Sequence, residues 1–217
     1  MPKHVVLLSG GLDSAVTCAL AAFRDGPAEV LALTIGYGQR HICETTYARA
    51  FADRYGIRRV QAVVDPSPWK LLPLSTGTTA TDRSVYAMQT GGISDAFLPG
   101  RNVAFLATAL AVAGVQGATR VWIGANKDDA AGFPDCRPPF LWAWAQMASQ
   151  ALDRSMRVEA PLLELSKRQV VALARAMALD VDATWSCYRP RYTLHGAEPC
   201  GRCDACRLRT EALECAE

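Results

Sequence analysis

Histidine is scarce in this chain, with 3 in 217 residues, and with no second nitrogen ligand near His41 in the sequence that residue is a poor ligand for a catalytic metal. A dominant charge sign is missing too. Lys and Arg number 23 against 21 Asp and Glu, a formal net charge of +2, and no long basic run asks for nucleic acid. No apolar run reaches membrane-spanning length. Met1-Pro2-Lys3-His4 leads straight into a strand-like segment, so the expected compartment is the cytoplasm. Two further absences concern the first glycine-rich turn, Ser9-Gly10-Gly11-Leu12-Asp13-Ser14. No lysine follows its glycines, which excludes the nucleotide loop ending in Gly-Lys-Ser/Thr. It has no third glycine, which excludes the dinucleotide fingerprint.

What the turn does have is position. It follows the apolar run His4–Leu8 and opens the apolar helical pattern Ala15–Ala22. Adjacent glycines permit a tight turn and close approach of a ligand, and the N–H groups of the turn and of the helix start are expected to point outward unpartnered and to welcome an anion. The plain alternative is a strand–turn–helix joint capped by Ser or Asp.

Strand-like segments recur at Val5–Leu8, Val30–Thr34, Arg59–Val64, Val121–Gly124 and Val158–Ala160. Helical patterns fall at Ser14–Arg24, Ile42–Tyr55, Val103–Val115, Phe140–Leu152, Lys167–Met177 and Asp204–Ala212. This alternation predicts an α/β fold with a mostly parallel sheet flanked by helices. Ligand-binding loops then leave one edge of the sheet. Residues 1–180 are expected to form that domain and 181–217 a small appendage. Asp65–Gly100, rich in Pro, Ser, Thr and Gly, reads as a lid, a binding segment or a surface insertion.

Cysteine is unevenly spread. Cys187, Cys200, Cys203 and Cys206 form C-x₁₂-C-x₂-C-x₂-C, a spacing that brings four thiolates onto one ion. Four thiolates suit a closed tetrahedral zinc, with an iron–sulfur cluster as the alternative. Cys18 reads as core, and Cys215 as a loose thiol.

Other candidates lie after strands or at helix starts. Tyr37, Gln39, Arg40 and His41 follow the second strand and read as pocket polar groups, His41 being a possible base. Asn102 can cap the helix that follows Pro99-Gly100-Arg101, and Arg101 can meet phosphate or carboxylate. Asp135 can accept N–H groups of a purine-like ring beside Phe133 and Arg137, or simply pair with Arg137. Lys167 opens a helix, where a cation suits the dipole only if an anion lies nearby. Lys127 is a further basic candidate. Phe140, Trp142 and Trp144 fall two apart and do not share one helical face.

Ser9–Ser14 resembles the phosphate loop of the adenine-nucleotide α-hydrolase superfamily, which splits ATP to AMP and pyrophosphate. Within it the chain is similar to the 7-cyano-7-deazaguanine synthase family of queuosine biosynthesis. The similarity runs through Tyr37–His41, Pro99–Asn102, Gly132–Arg137, Thr184–Tyr188 and Cys200–Cys206, nearly the whole chain in order. It implies conversion of 7-carboxy-7-deazaguanine and ammonia to the nitrile through adenylated acid and amide, with ATP, Mg²⁺ and Zn²⁺, in a homodimer. The nucleotide would sit on Leu8–Ser14, including Gly10, Gly11 and Leu12. Asp13, Arg101 and Lys167 would carry the chemistry. Tyr37, Gln39, Arg40, His41, Asn102, Phe133, Asp135 and Arg137 would hold the substrate, and the four cysteines zinc. Phe133 stands where the family usually has tyrosine, Gly36 where it has an acid, and Gly196–Pro199 lengthens the run between cysteines. A diverged paralogue, a tRNA-modifying relative and a zinc-containing RNA- or protein-binding module are the alternatives.

Overall fold

A computed structural model describes residues 1–39, 41–69, 97–194 and 196–214. Arg40, most of the irregular segment (70–96) and Cys215 lie outside the described residues. Five strands, β1 (His4–Leu7), β2 (Val30–Gly36), β3 (Arg58–Val63), β4 (Arg120–Trp122) and β5 (Arg157–Glu159), form one sheet in the order β3-β2-β1-β4-β5. Every pairing in it is parallel.

Alternation along the strands divides the core. Val5, Leu33 and Val121 face α3 (Arg101–Gln116) and α5 (Pro138–Ala151), meeting Leu106, Leu110, Leu141 and Trp144. Val6, Ala32 and Trp122 face the other way, onto Ala15 and Cys18 of α1 (Leu12–Asp25) and Phe51 of α2 (Glu44–Arg54). Burial on both faces explains why these strands read as continuous apolar runs. Each fully buried Val or Leu contributes about 1.5–3 kcal/mol. A third layer packs Leu12 and Val16 of α1 against Val170 and Ala174 of α6 (Lys167–Ala176) and Ala212 of α7 (Asp204–Glu214).

One polar group in the core is fully satisfied. His4 is fully buried, its Nε2 lies 2.7 Å from Asp25 Oδ2, and its Nδ1 accepts the indole N–H of Trp122 at 3.1 Å. Those contacts fix the neutral ring with its proton on Nε2.

Three short elements fall outside the expected pattern. Lys127–Gly132 forms a short helix, α4, closed by a capping box between Asn126 and Asp129. Arg191–Thr193 and Gly196–Glu198 pair antiparallel as β6 and β7. Of the α5 aromatics, Trp144 enters the core while Trp142 is exposed. The chain goes from β1 outward to β2 and β3, then returns to place β4 on the opposite side of β1. That reversal opens a crevice beyond the carboxyl ends of β1 and β4.

Candidate active site

The Ser9–Ser14 turn leaves β1 at this crevice. Its hydroxyls are turned inward. Ser14 Oγ donates to the Gly11 carbonyl at 2.8 Å and accepts the amides of Ser9 and Gly10 at 3.2 and 3.3 Å. The Gly11 amide donates to Ser9 Oγ at 3.1 Å. The expectation of unpartnered amides throughout the turn is therefore corrected: those three are satisfied internally. The amides of Leu12, Asp13 and Ser14, in the first turn of α1, have no acceptor four residues back within the helix. No side chain caps α1, so the Ser or Asp cap is absent as well.

The glycines serve packing as much as access. Gly10 has φ +104°, and a Cβ there would stand 2.1 Å from the Glu44 carbonyl oxygen. Gly124, leaving β4, would place a Cβ 2.9 Å from the backbone of Asp13 and Ser14. Glycine at these two positions lets α2 and the β4 exit close upon the turn.

Two adjoining cavities, about 240 and 200 Å³, share Ser9, Gly11, Asp13, Glu44, Asp129 and Tyr188 in their walls. The smaller one is the ionic side. Lys167 Nζ forms a short ion pair with Asp13 Oδ2, while the Lys167 main-chain amide donates to Asp128 Oδ2 at 2.8 Å. Burial works against the charge on Lys167, yet Asp13 and Asp129 outweigh it and raise its pKa. Burial and the Asp13 charge push Asp129 up to about 6. Asp13 Oδ1 is buried with no hydrogen-bond partner among the described residues. An anchored cation next to an orphaned carboxylate oxygen suits a phosphate chain carrying a divalent ion.

The larger cavity is apolar with a few polar groups. Leu33, Ile35, Phe105 and Phe133 line it together with Tyr37, His41, Arg101 and Asn102. The Arg101 guanidinium lies 5.9 Å from the Phe133 ring centroid, a cation–π contact that needs no ring hydroxyl. Asn102 is not the helix cap, which is Gly100 in left-handed conformation. Its amide instead donates to Asp135 Oδ2, and its side-chain nitrogen to the Asp135 carbonyl, both at 3.2 Å. Asp135 therefore caps α3 from a separate loop. Its Oδ1 is buried without a partner among the described residues, and burial raises its pKa. It does not itself line the cavity, although Asn102, Phe133 and Cys136 do.

Arg137 does not pair with Asp135. It donates from Nε and Nη2 to the carbonyls of Ala130 and Ala131 at 3.0 and 3.4 Å, fastening the end of α4. Lys127 is exposed. Gln39 is buried and oriented. Its Oε1 accepts the Tyr37 amide at 2.9 Å, so its Nε2 donates to Glu44 Oε1 at 3.2 Å. Burial and the Arg101 charge drive His41 down to about 4, leaving it neutral and weakly basic. Burial pushes Glu44 up to about 8. Glu44 and Tyr188 were not singled out from the sequence, although Glu44 lies three residues after the Tyr37–His41 block and Tyr188 directly follows Cys187.

The four cysteines converge. Sγ atoms of Cys187, Cys200, Cys203 and Cys206 all lie within 4.8 Å of one another. Cys203 Sγ stands 4.0 and 3.5 Å from those of Cys187 and Cys206. A zinc tetrahedron with bonds of about 2.3 Å needs sulfurs roughly 3.8 Å apart. Cys187 Sγ accepts the amides of Arg189 and Cys200 at 3.3 and 3.2 Å, as a thiolate ligand does. This donor set fits zinc, and with four sulfurs it leaves no open coordination position.

Among the described residues no helix is long and apolar enough to cross a membrane. The fold is shared with solved structures. One is “U34-tRNA thiolase NcsA from Methanococcus maripaludis with its [4Fe-4S] cluster”, 16% identical over 99% of this chain and 65% of that one, with a TM-score of 0.50. Another is a predicted subunit of tRNA methyltransferase from Methanocaldococcus jannaschii, also 16% identical, covering 81% of this chain and 74% of that one, TM-score 0.50. Sequence relatives are nearer. The 7-cyano-7-deazaguanine synthase of Synechococcus elongatus is 42% identical over 98% of this chain and 91% of that protein. That of Azoarcus sp. is 39% identical over 100% and 94%, and that of Leptospira interrogans 36% over 98% and 86%. The family described as “Queuosine biosynthesis protein QueC” matches residues 3–217, and with relatives at this identity along almost its whole length the chain belongs to that family.

Proposed function

We infer that this chain is an ATP-dependent 7-cyano-7-deazaguanine synthase, joining ammonia to 7-carboxy-7-deazaguanine. The observation that carries the reading is the meeting of an ionic and an aromatic cavity over Ser9–Ser14 in a chain 36–42% identical to proteins of that name. A carboxylate resists attack by ammonia at neutral pH, so it must first gain a leaving group. Attack of the acid on the α-phosphorus of ATP forms an acyl-adenylate and releases pyrophosphate. Ammonia displaces AMP to give the amide, and a second adenylation, on the amide oxygen, lets AMP depart and leaves the nitrile.

The residues divide this work. The first turn of α1 and Lys167 take the phosphates on the ionic side. Asp13 and Asp129 are suited to hold Mg²⁺, which when bound neutralises charge on the phosphate chain. Arg101 lies between the aromatic wall and Asp135, where it can take the substrate carboxylate. Residues 181–217 would fold around zinc, which stiffens that segment without taking part in the chemistry. A homodimer is the assembly we propose, with the exposed Trp142 of α5 among the surfaces available to it.

A thiolase reading needs a reactive cysteine pair beside the nucleotide. Among the described residues the one cysteine lining the cavities, Cys136, is a thiol that burial pushes far above its usual range. Incubation with ATP, Mg²⁺, ammonium and 7-carboxy-7-deazaguanine should yield the nitrile, AMP and pyrophosphate by mass spectrometry. Binding of ATP without substrate-dependent AMP would sink the reading and favour a binding module.

A further inference from the structure

The reaction proposed above releases protons that some group must accept. When ammonia adds to the acyl-adenylate, its nitrogen becomes cationic and has to shed a proton. When the adenylated amide collapses to the nitrile, the last N–H proton must leave as well. The side chains lining the two cavities include few groups able to receive it.

Asp13 is held by Lys167. Asp129 is committed through Oδ2 to the Asn126 amide at 3.1 Å and faces the same lysine on the ionic side. His41 is neutral, but with a pKa near 4 it binds a proton too weakly. Burial keeps Tyr37, Tyr188 and Cys136 protonated, so they have no basic form to offer. Glu44 remains.

Its placement is specific. Glu44 opens α2, and its own carbonyl is the atom against which Gly10 is packed, so its backbone abuts the phosphate turn. Glu44 is buried and lines both cavities, at their junction. Oε1 is occupied by Gln39 Nε2, whose direction is set by the Tyr37 amide, and lies 3.6 Å from His41 Nε2. Oε2 has no hydrogen-bond partner among the described residues. Among the described residues, the titratable groups facing Glu44 are His41, Tyr37 and the neighbouring Cys43, Arg101 from α3, and Tyr188, which lines the same cavities. Of these Arg101 alone carries charge near neutrality, and it favours the ionised carboxylate.

We propose that Glu44 is the catalytic proton acceptor of nitrogen transfer. As the lone pair of ammonia forms the C–N bond, Oε2 takes one N–H proton, and the C–O bond to the adenylate breaks with AMP leaving on its electron pair. In the second round O-adenylation leaves the nitrogen as a cationic iminium, which sheds one N–H proton to solvent, and Oε2 takes the last N–H proton as the C–O bond to AMP breaks and the C≡N bond forms. Each proton then passes to solvent, restoring the carboxylate. A carboxyl that ionises near pH 8 is matched to this task, because it is basic enough to accept the proton and still partly ionised at neutral pH.

The inference rests on the reading of the reaction given above, and the test separates the two. Adenylation alone is followed by pyrophosphate–ATP exchange with 7-carboxy-7-deazaguanine and no nitrogen source. Nitrogen transfer is followed with ammonium, and with hydroxylamine, which is already the free base at neutral pH and reports the protein's own ionisation. Glu44→Gln should keep exchange within about 3-fold of the unsubstituted protein. It should lower amide and hydroxamate formation about 100-fold or more, and abolish the rise of the hydroxylamine rate through about pH 8. Glu44→Asp, which keeps a carboxylate one methylene short, should recover part of the nitrogen step and the pH-dependent rise; this variant also serves if the glutamine protein folds poorly. Nitrogen transfer in Glu44→Gln within about 3-fold of normal would overturn the proposal. So would an equal loss of exchange and transfer, which marks a binding or structural role. Absence of exchange in the unsubstituted protein would overturn the reaction reading itself, and the proposal with it.

Discussion

The main-chain amide of Trp185 donates a hydrogen bond to the carbonyl of Gly10 at 2.9 Å. This ties the cysteine cluster to the phosphate turn, because the Trp185 indole N–H is itself bonded to the Cys187 carbonyl at 2.8 Å and its ring lies against Tyr47 of α2. A metal held by Cys187 therefore braces Gly10 from one side while Glu44 braces it from the other.

Stripping the metal should loosen the turn as well as the C-terminal segment. Purified protein is expected to carry about one zinc per chain, and Cys203→Ser to lose it, with a fall in melting temperature of roughly 10 °C. Hydrogen exchange should then quicken at the amides of Ser9 and Gly10. Unchanged protection there after metal loss would show that the Trp185 bond does not transmit the effect.

The two glycines of the turn should respond differently. Gly10→Ala combines a left-handed backbone with a Cβ 2.1 Å from the Glu44 carbonyl, and the strain alone costs about 1–3 kcal/mol. It should unfold at clearly lower temperature. Gly11 has φ −76° and ψ 160°, and a Cβ there meets only Ser9 Oγ and the Trp185 carbonyl, both at 3.4 Å. Gly11→Val should remain folded yet bind ATP at least tenfold more weakly if the pyrophosphate approaches that backbone. Calorimetry with ATP titration distinguishes the pair.

Much of this architecture was legible in the residues. The central strands β1 and β2 read as apolar runs because both faces of the sheet are covered there, and the cysteine spacing alone forecasts convergence. The helix Lys127–Gly132 and the hairpin Arg191–Glu198 were not legible, since each is short, polar and set by local capping or pairing rather than by periodicity. Glu44 was hidden for a related reason: a glutamate in a helix's first turn looks like ordinary dipole complementarity, and only the tertiary fold shows it buried. The cap of α3 falls to Asp135 and not to Asn102. The sequence offered Asn102 as a local cap, whereas the first turn of α3 is capped by a carboxylate 33 positions away.

Stability should depend on pH through His41 and Glu44. His41 titrates near 4 folded against 6.5 unfolded, so the unfolded chain binds more protons in that window and stability falls as pH drops through it. Glu44 titrates near 8 folded against 4.5 unfolded, so there the folded chain binds more, and stability falls as pH rises from 4.5 to 8. Asp129, near 6 folded against 3.8 unfolded, adds to the Glu44 slope below about pH 6 while the His41 slope opposes both, and of these three groups Glu44 alone acts above about pH 6.5. Denaturant titrations should show a loss of about 2 kcal/mol between pH 6.5 and 8, from roughly 1.4 kcal/mol per pH unit. Glu44→Gln should flatten that limb and leave the acid limb in place.

Lys167→Met should separate the ionic side from the fold. Lys167 opposes the upward push on Asp129, so its removal should send the Asp129 pKa above 6 and move the acid limb of ATP turnover to higher pH. Turnover should fall by about 100-fold with loss of the charge on the phosphates. An unaltered pH profile in the variant would place Asp129 outside the working site.

Asp135 tests whether a capping residue also reads the substrate. One oxygen, Oδ2, is used by the Asn102 amide, while Oδ1 is buried and unpartnered among the described residues. A buried acceptor left unmatched costs about 1–3 kcal/mol, and the N–H groups on the pyrimidine edge of a deazaguanine would satisfy it if the Phe133–Cys136 wall opened toward it. Asp135→Asn preserves shape and can keep its oxygen on the Asn102 amide, but presents a donor where the acceptor stood. The substrate KM should then rise tenfold or more while ATP binding is retained. Melting temperature should change little, because the α3 cap survives. A matched fall in ATP binding and melting temperature, with the substrate KM unmoved, would assign Asp135 to the cap alone.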